Sequence, residues 1–440
     1  MYIENINGPA DVKKLNIKQM TVLASEIRDA LLTKLSRHGG HFGPNFGMVE
    51  ATIALHYVFE SPKDKFVFDV SHQSYPHKML TGRKDAFLYE EHYDDVSGYS
   101  NPHESEHDHF TIGHTSTSVS LACGLAKGRD LKGEDGNVVA IIGDGSLSGG
   151  EALEALNYAA ELDGNLIILV NDNDMSIAEN HGGLYQNLRL LRETGGKAEC
   201  NLFRAMGLDY RFVADGNDIA SLIEAFKAVK DSRQPVIVHI VTQKGKGYAP
   251  AEQHKEAWHY CAPFHPETGE PLMDMSGECY ESITLDFMMK KMQDDPSVCM
   301  ITSGTPTVLG FTEEMRKKAG SQFIDVGIAE ENAVALASGI AANGGKPVYG
   351  YKMHPTEKNK IVIDEAVAPV VRRNLRYGSL RHELPADRHR LNEEHIPTPA
   401  TYAGIPVGKP GPIHRPYGPV SGSRMMLQNE DLYRQHGAGT

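Results

Sequence analysis

With 440 residues, 40% of them hydrophobic and 23% charged, the chain has the material for a sizeable core and for two or three domains. A formal charge of −14 and an isoelectric point near 5.8 argue against a broadly basic, phosphate-tracking nucleic-acid binder, so any positive charge that serves an anionic ligand has to be local. Mean hydropathy is −0.38, no apolar run approaches the roughly 18–20 residues that span a bilayer, and residues 1–14 lack the basic-then-apolar order of a signal peptide, which makes the cytoplasm the expected compartment. The five cysteines (Cys123, Cys200, Cys261, Cys279 and Cys299) form no C-x-x-C pair, so neither a disulfide framework nor a cysteine zinc site is signalled.

From Ile17 to about Ser36, Leu23, Ile27, Leu31, Leu32 and Leu35 recur at helical spacing, and the glycine-rich run Gly39 to Gly43 closes that helix. A second helical stretch runs from about Gly47 to Phe59. Four short apolar runs then read as strands: 66–70, 138–142, 166–170 and 235–241. Their near-continuous apolar character is what a parallel strand covered on both faces requires. Helical patterns at 151–162 and 218–230 lie between them, so the order is βαβα and the class is α/β with a doubly wound parallel sheet. A linker is expected over 266–280, then a helix (282–292), a strand (298–302) and the start of a second α/β domain over 281–350. Beyond Gly350 the texture changes: ten of the 23 prolines, no Phe, Trp or Cys, and 13 Lys and Arg against 9 Asp and Glu. Residues 351–440 therefore read as a poorly ordered tail foreign to the fold, and the second domain as incomplete.

The run 138–142 ends in Gly143-Asp144-Gly145-Ser146, and 166–170 ends in Asn171-Asp172-Asn173. In a parallel sheet both clusters fall at carboxyl ends of strands, where open α/β folds bind ligands. Taken singly, each is an ordinary strand-end turn. Taken together, Asp144 and Asn173 can reach one hard divalent cation such as Mg²⁺, which takes oxygen ligands and bridges carboxylates to phosphates. Gly143 and Gly145 allow close backbone approach, and a helix starting near Ser148 aims its amides at the same place. His103-Glu104-Ser105-Glu106-His107 satisfies H-E-x-x-H formally, yet it follows Asn101-Pro102 in a polar run and reads as a solvated loop.

Asn173 follows Asp144 by 29 positions, and this Gly-Asp-Gly to Asn-Asp-Asn arrangement resembles the signature of thiamine-diphosphate enzymes. Gly39-Gly40-His41, the run from Asp69 to Lys78, Gly113-His114-Thr115-Ser116-Thr117-Ser118, Lys244-Gly245-Lys246-Gly247-Tyr248 through Glu252, and Asp325 to Glu330 narrow it further. In that order, over residues 20–350, they resemble the blocks of the 1-deoxy-D-xylulose-5-phosphate synthase family, relatives of transketolase. The resemblance implies a diphosphate-binding domain at 1–265 and the start of a pyrimidine-binding domain at 281–350. It implies thiamine diphosphate and Mg²⁺ as cofactors, with Asp144 and Asn173 as metal ligands. His72, Gly113, His114, Thr115, Gly145, Ser146, Asn173, Tyr248 and Glu330 would line the cofactor. Glu330 resembles the glutamate that favours the imino tautomer of the aminopyrimidine, while His41, His72 and His259 resemble histidines suited to proton transfer around the reacting carbons. Lys246 is a candidate to neutralise the diphosphate or a substrate phosphate, against the ordinary role of a lone lysine as a solvated surface residue.

The implied reaction condenses pyruvate with glyceraldehyde 3-phosphate, releasing CO₂, in a homodimer that binds neither nucleic acid nor membrane. Transketolase-type ketol transfer and an inactive cofactor-binding half-subunit are the alternatives. The sequence departs from the family pattern in four places. Ser71 stands where the family has Gly, Tyr260 follows His259, Glu331-Asn332 follows Glu330 in place of Gln-His, and the 177–203 connection is short. After Gly350 the rest of the pyrimidine domain and a third domain are not recognisable, which reads as a truncated or frameshifted gene.

Overall fold

The computed structural model describes residues 1–273 and 279–347, together with the backbone of 351–353 and 361–363. The chain divides into two compact units: Met1–Gly277 with Ser303–Thr305 and Asp325–Glu331, and the remainder. In chain order the elements of the first unit that bear on function are α1 (Ile17–His38), β1 (Gly40–His41), α2 (Val49–Val58), β2 (Lys65–Phe68), α3 (Ser118–Lys132), β3 (Val138–Gly143), α4 (Gly150–Ala159), β4 (Ile167–Asp172), α5 (Gly183–Glu193), β5 (Asp209–Val213), α6 (Ile219–Val229), β6 (Val236–Val241) and β7 (Tyr260–Cys261). Five of the strands form one sheet in the order β2-β3-β4-β6-β5, parallel throughout.

Alternate strand residues point to opposite faces, and each face has its own core. Phe66, Phe68, Val139, Ile141, Ile167, Leu169, Val236, Val238 and Ile240 pack with α1, α2 and α6. Val67, Val138, Ala140, Ile142, Ile168, Val170 and Ile237 pack with α3, α4 and α5. Both faces are covered, so the doubly wound α/β reading holds, and the burial explains why β3, β4 and β6 read as near-continuous apolar runs, broken in β6 only by the buried His239. β5 was not visible by that criterion: Asp209 and Arg211 are exposed, because an edge strand buries less of itself.

Helix α1 starts on a capping box in which Asn16 accepts from the Gln19 amide and the Gln19 side chain accepts from the Asn16 amide. It ends at Gly39, whose φ of 77° turns the chain into β1. β1 pairs antiparallel with β7, which brings His41 opposite Tyr260. The second unit contains α7 (Tyr280–Asp294), a two-stranded sheet of β8 (Met300–Thr302) and β9 (Phe323–Asp325), and most of α8 (Glu330–Ala342). Tyr351–Met353 and Ile361–Ile363 pair antiparallel. The reading of 351–440 as a foreign, poorly ordered tail otherwise lies outside the described residues.

Candidate functional site

His72, Asp144, Asn173 and Lys244 follow the carboxyl ends of β2, β3, β4 and β6, the edge at which parallel sheets bind ligands, whereas His41 lies on β1 and His259 just before β7. Asp144 follows β3 and is 2% exposed. Its Oδ1 accepts from the Gly145 amide at 2.9 Å, and its Oδ2 accepts from the amides of Asn173 (3.3 Å) and Met175 (3.1 Å) and from Asn180 Nδ2 (3.1 Å). Burial, with the nearby Asp172 charge, pushes the Asp144 carboxyl well above its ordinary range. Asn173 Oδ1 is buried and without a hydrogen-bond partner. The structure thus joins Asp144 and Asn173 in one cluster, where a raised carboxylate and an orphaned amide oxygen form the start of a hard-cation donor set. Gly145 is required by close approach, since a Cβ there would come within 2.5 Å of Ser176 Cβ. The Ser146 carbonyl accepts from Ser116 Oγ at 2.8 Å, tying this turn to the 113–118 segment.

Asp172, at the end of β4, is fully buried and compensated. Arg192 Nη1 donates to both its oxygens at 2.7 Å, and His239 Nε2 lies 2.9 Å from Oδ2. Burial alone would raise this carboxyl, but the hydrogen bonds and charges of His239 and Arg192 bring it below its ordinary value. Arg192 comes from α5, inside the short 177–203 connection, which also carries Tyr185, whose hydroxyl donates to the Gly145 carbonyl at 3.0 Å. The connection therefore buttresses both halves of the cluster.

His41, His72 and His259 are brought together, with ring centroids 5.0 Å (41 to 72), 5.2 Å (72 to 259) and 5.9 Å (41 to 259) apart. Asn45 fixes two of them by donating from Nδ2 to the carbonyls of His41 and His72, both at 2.8 Å. Lys244 Nζ stands 3.2 Å from His259 Nδ1 and donates to the Ser176 carbonyl at 2.6 Å. Burial lowers Lys244 to about 8 against the pull of the Asp144 charge. Lys244, not Lys246, is therefore the lysine that faces the cluster. Lys246 turns away, 3.6 Å from Glu50 Oε1 and 3.5 Å from the Asn217 carbonyl.

Burial lowers His41 to about 4, and burial with neighbouring charge takes His72 and His259 well below their usual value, so all three rings are neutral at pH 7. Their folded-state values lie below the unfolded value of about 6.5, so protons bind preferentially to the unfolded chain. Stability is then full above pH 6.5 and falls as pH drops from 6.5 towards 4. The melting temperature of the cofactor-free chain is expected to fall between pH 7.5 and 5.5, and the fall to be smaller in His41→Asn. An equal fall in both would remove His41 from this account.

His114 follows Gly113, beside which a Cβ would meet open space. His114 Nδ1 lies 2.9 Å from the Thr115 carbonyl, and its Nε2 lies 4.0 Å from Glu330 Oε1, in the 325–331 segment that groups with the first unit. Tyr248 stands apart from the Asp144 cluster. Its hydroxyl donates to the Pro266 carbonyl at 3.0 Å, and its ring packs among Phe42, Trp258 and Phe264. The His103 to His107 run lies in turns, with Glu104 engaged by Lys78 at 2.5 Å and by Arg83 at 3.3 Å. Asn180, Tyr185, Arg192 and Lys244 escaped the sequence reading. Lys244, three residues past β6, carried a positional signal for it, whereas the other three had none.

A parallel sheet covered by helices on both faces, with buried carboxylates and glycine turns gathered at its carboxyl edge, defines a doubly wound α/β protein whose polar groups lie where such sheets bind ligands. The family model described as 1-deoxy-D-xylulose-5-phosphate synthase matches residues 3–200 and 193–242. Relatives of that name include the protein of Carboxydothermus hydrogenoformans, 37% identical over 98% of this chain and 72% of its own length, and that of Alkaliphilus oremlandii, 39% identical over 79% and 61%. The Listeria monocytogenes protein of the same name is 42% identical over 78% and 57%. The chain belongs to the 1-deoxy-D-xylulose-5-phosphate synthase family, and it spans 57% to 72% of the length of these three relatives. A solved transketolase from Campylobacter jejuni is similar over 74% of this chain and 64% of its own, at 16% identity and a TM-score of 0.47.

Proposed function

We propose that this chain binds thiamine diphosphate through Mg²⁺ and joins pyruvate to glyceraldehyde 3-phosphate, with loss of CO₂, to give 1-deoxy-D-xylulose 5-phosphate for isoprenoid and thiamine precursors. The observation that carries the reading is the pairing of Asp144 with the partnerless, buried Asn173 Oδ1 at adjacent strand ends. These two would ligate the metal. His72, Gly113, His114, Thr115, Gly145 and Ser146 would line the cofactor, Glu330 would hold its pyrimidine end, and Tyr248 would support that wall through its aromatic packing. Thiamine diphosphate, when bound, supplies the electron sink for decarboxylating a 2-oxo acid.

The protein's part is orientation and electrostatics. Lys244, whose value burial lowers, would offer a cation to the diphosphate, and it stands 3.2 Å from His259 Nδ1, which it orients. The neutral rings of His41, His72 and His259 give and take hydrogen bonds around the substrate without adding charge. We assign the diphosphate-binding role to 1–265 and the pyrimidine-binding role to 281–350. A homodimer, the commonest closed oligomer, is the assembly this reading expects, and sedimentation would reveal it. No helix among the described residues is long and apolar enough to cross a membrane, and all five cysteines are free thiols, which fits a cytoplasmic protein.

The span of 57% to 72% of three relatives' length keeps one second reading in view, a cofactor-binding half that needs another chain for turnover. Incubating the full chain with thiamine diphosphate, Mg²⁺ and either pyruvate or a ketose phosphate as donor, with and without glyceraldehyde 3-phosphate, separates these readings and transketolase-type ketol transfer. CO₂ release and a five-carbon ketose phosphate are expected. Cofactor binding without CO₂ release would support the half-subunit, and turnover of a ketose donor without CO₂ would support ketol transfer.

A further inference from the structure

The turn that follows β2 holds two successive non-glycine residues in the left-handed region, Val70 at φ 56° and Ser71 at φ 68°. For a β-branched residue that is a true outlier, and such conformations persist only where the surroundings over-determine them. Ser71 is fully buried, so its side chain has no solvent to satisfy it. Its Oγ donates to the Ile112 carbonyl at 3.1 Å and accepts from the Ser100 amide at 2.8 Å. Ser100 in turn donates from its own Oγ to the Phe110 carbonyl at 2.9 Å. One hydroxyl therefore closes both ends of the 100–112 segment, and the second end is the residue immediately before Gly113.

Two residues earlier in the same turn, the buried Asp69 carboxylate accepts from the amides of Ser116 (2.8 Å) and Ser118 (2.9 Å). Ile112 and Ser116 bracket Gly113, His114 and Thr115. The Asp69 to Ser71 turn thus grips that triplet from both sides, and the next residue in the chain is His72. His72 and His114 sit on segments far apart in sequence, and this turn sets their register.

We propose that Ser71 is a positioning residue: its hydroxyl, held inward by a strained backbone, clamps the segment that delivers His114 against the turn that delivers His72. The inference rests on the cofactor-site reading above, because it assigns the clamp a role in thiamine diphosphate affinity. A serine kept only for stability makes a different prediction. Glycine adopts φ 68° without cost, whereas alanine keeps the strain and also loses both hydrogen bonds. Ser71→Gly therefore removes the clamp while relieving the backbone, and Ser71→Ala removes the clamp alone.

The test compares the full-length chain with both variants by amide hydrogen exchange without cofactor, by melting temperature, and by calorimetric titration with thiamine diphosphate and Mg²⁺. In both variants exchange over 98–113 is expected to be about tenfold faster, the factor that losing one or two hydrogen bonds gives, and the dissociation constant about tenfold higher. Only Ser71→Ala is expected to melt clearly lower. Unchanged exchange over 98–113 overturns the clamp. Affinity that tracks melting temperature, lost in the alanine variant and kept in the glycine variant, reduces Ser71 to a stability residue and overturns the positioning role. A wild-type chain that binds no cofactor overturns the functional reading and the positioning role with it, while a change in exchange still establishes the clamp as structure.

Discussion

The Asn173→Ala variant is expected to lose its Mg²⁺-dependent affinity for thiamine diphosphate by at least about 100-fold, yet to melt no lower than the wild-type chain. These two effects ordinarily travel together, since most buried substitutions destabilise. Here they part because of what Asn173 does in the cofactor-free protein. Its backbone amide, which the substitution keeps, donates to Asp144 Oδ2. Its side-chain oxygen is buried and meets no donor. An unsatisfied buried acceptor costs about 1–3 kcal/mol, so deleting it removes a penalty in the empty site, against which the truncation leaves only a small void. The same oxygen is one of two groups placed to ligate the cation. Scanning calorimetry and a titration of the variant check the pair of outcomes, and a variant that melts several degrees lower, or that keeps its affinity, contradicts the assignment.

Arg192→Ala is expected to produce the largest loss of stability, about 3 kcal/mol at neutral pH, the lower end of the range for stranding a buried charge. Arg192 donates twice to Asp172, which is fully buried, and its Nη2 also lies 2.7 Å from Asp174. Without it, Asp172 keeps His239 and the Asp174 amide, which donates to Oδ1 at 3.1 Å, but no full positive charge. The pH dependence follows from the sign of the shift. In the wild-type chain the folded-state value of Asp172 is below its ordinary one, so its stabilisation is present above about pH 4 and lost on further acidification. In the variant that value rises, and the charge is penalised wherever it forms. The deficit between variant and wild type is therefore largest at neutral pH and shrinks as the solution is acidified, which urea midpoints at pH 7.5 and 5 would reveal. Arg192→Lys is expected to recover part of the loss, since an ammonium restores charge without the two-point grip.

Arg192 marks the boundary of what was legible in the sequence. The three central strands announce themselves because a parallel strand buried on both faces is filled almost wholly with apolar side chains, the buried His239 of β6 being paired with Asp172, and the polar clusters at their carboxyl ends follow from topology alone. Asp144 and Asn173 were readable for that reason. β5 was not, because an edge strand alternates in exposure and its Asp209 and Arg211 break the apolar run. The lysines show a subtler limit. Lys244 and Lys246 lie two residues apart in the same glycine-rich stretch, and which of them turns inward depends on Gly245, at φ 76°, and Gly247, at φ 91°. No local pattern reports that choice. Asn180, Tyr185 and Arg192 are delivered by a connection whose own residues carry no motif. Their roles exist only through partners 20 to 40 residues away.

The claim on which the rest depends is that the carboxyl edge of this sheet is a Mg²⁺ and diphosphate site, and calorimetric titration of the full-length chain with thiamine diphosphate, with and without Mg²⁺, tests it most directly. Saturable binding near one cofactor per chain that weakens by an order of magnitude or more when Mg²⁺ is chelated is the predicted result. Absence of binding, or binding indifferent to Mg²⁺, would contradict the assignment of Asp144 and Asn173.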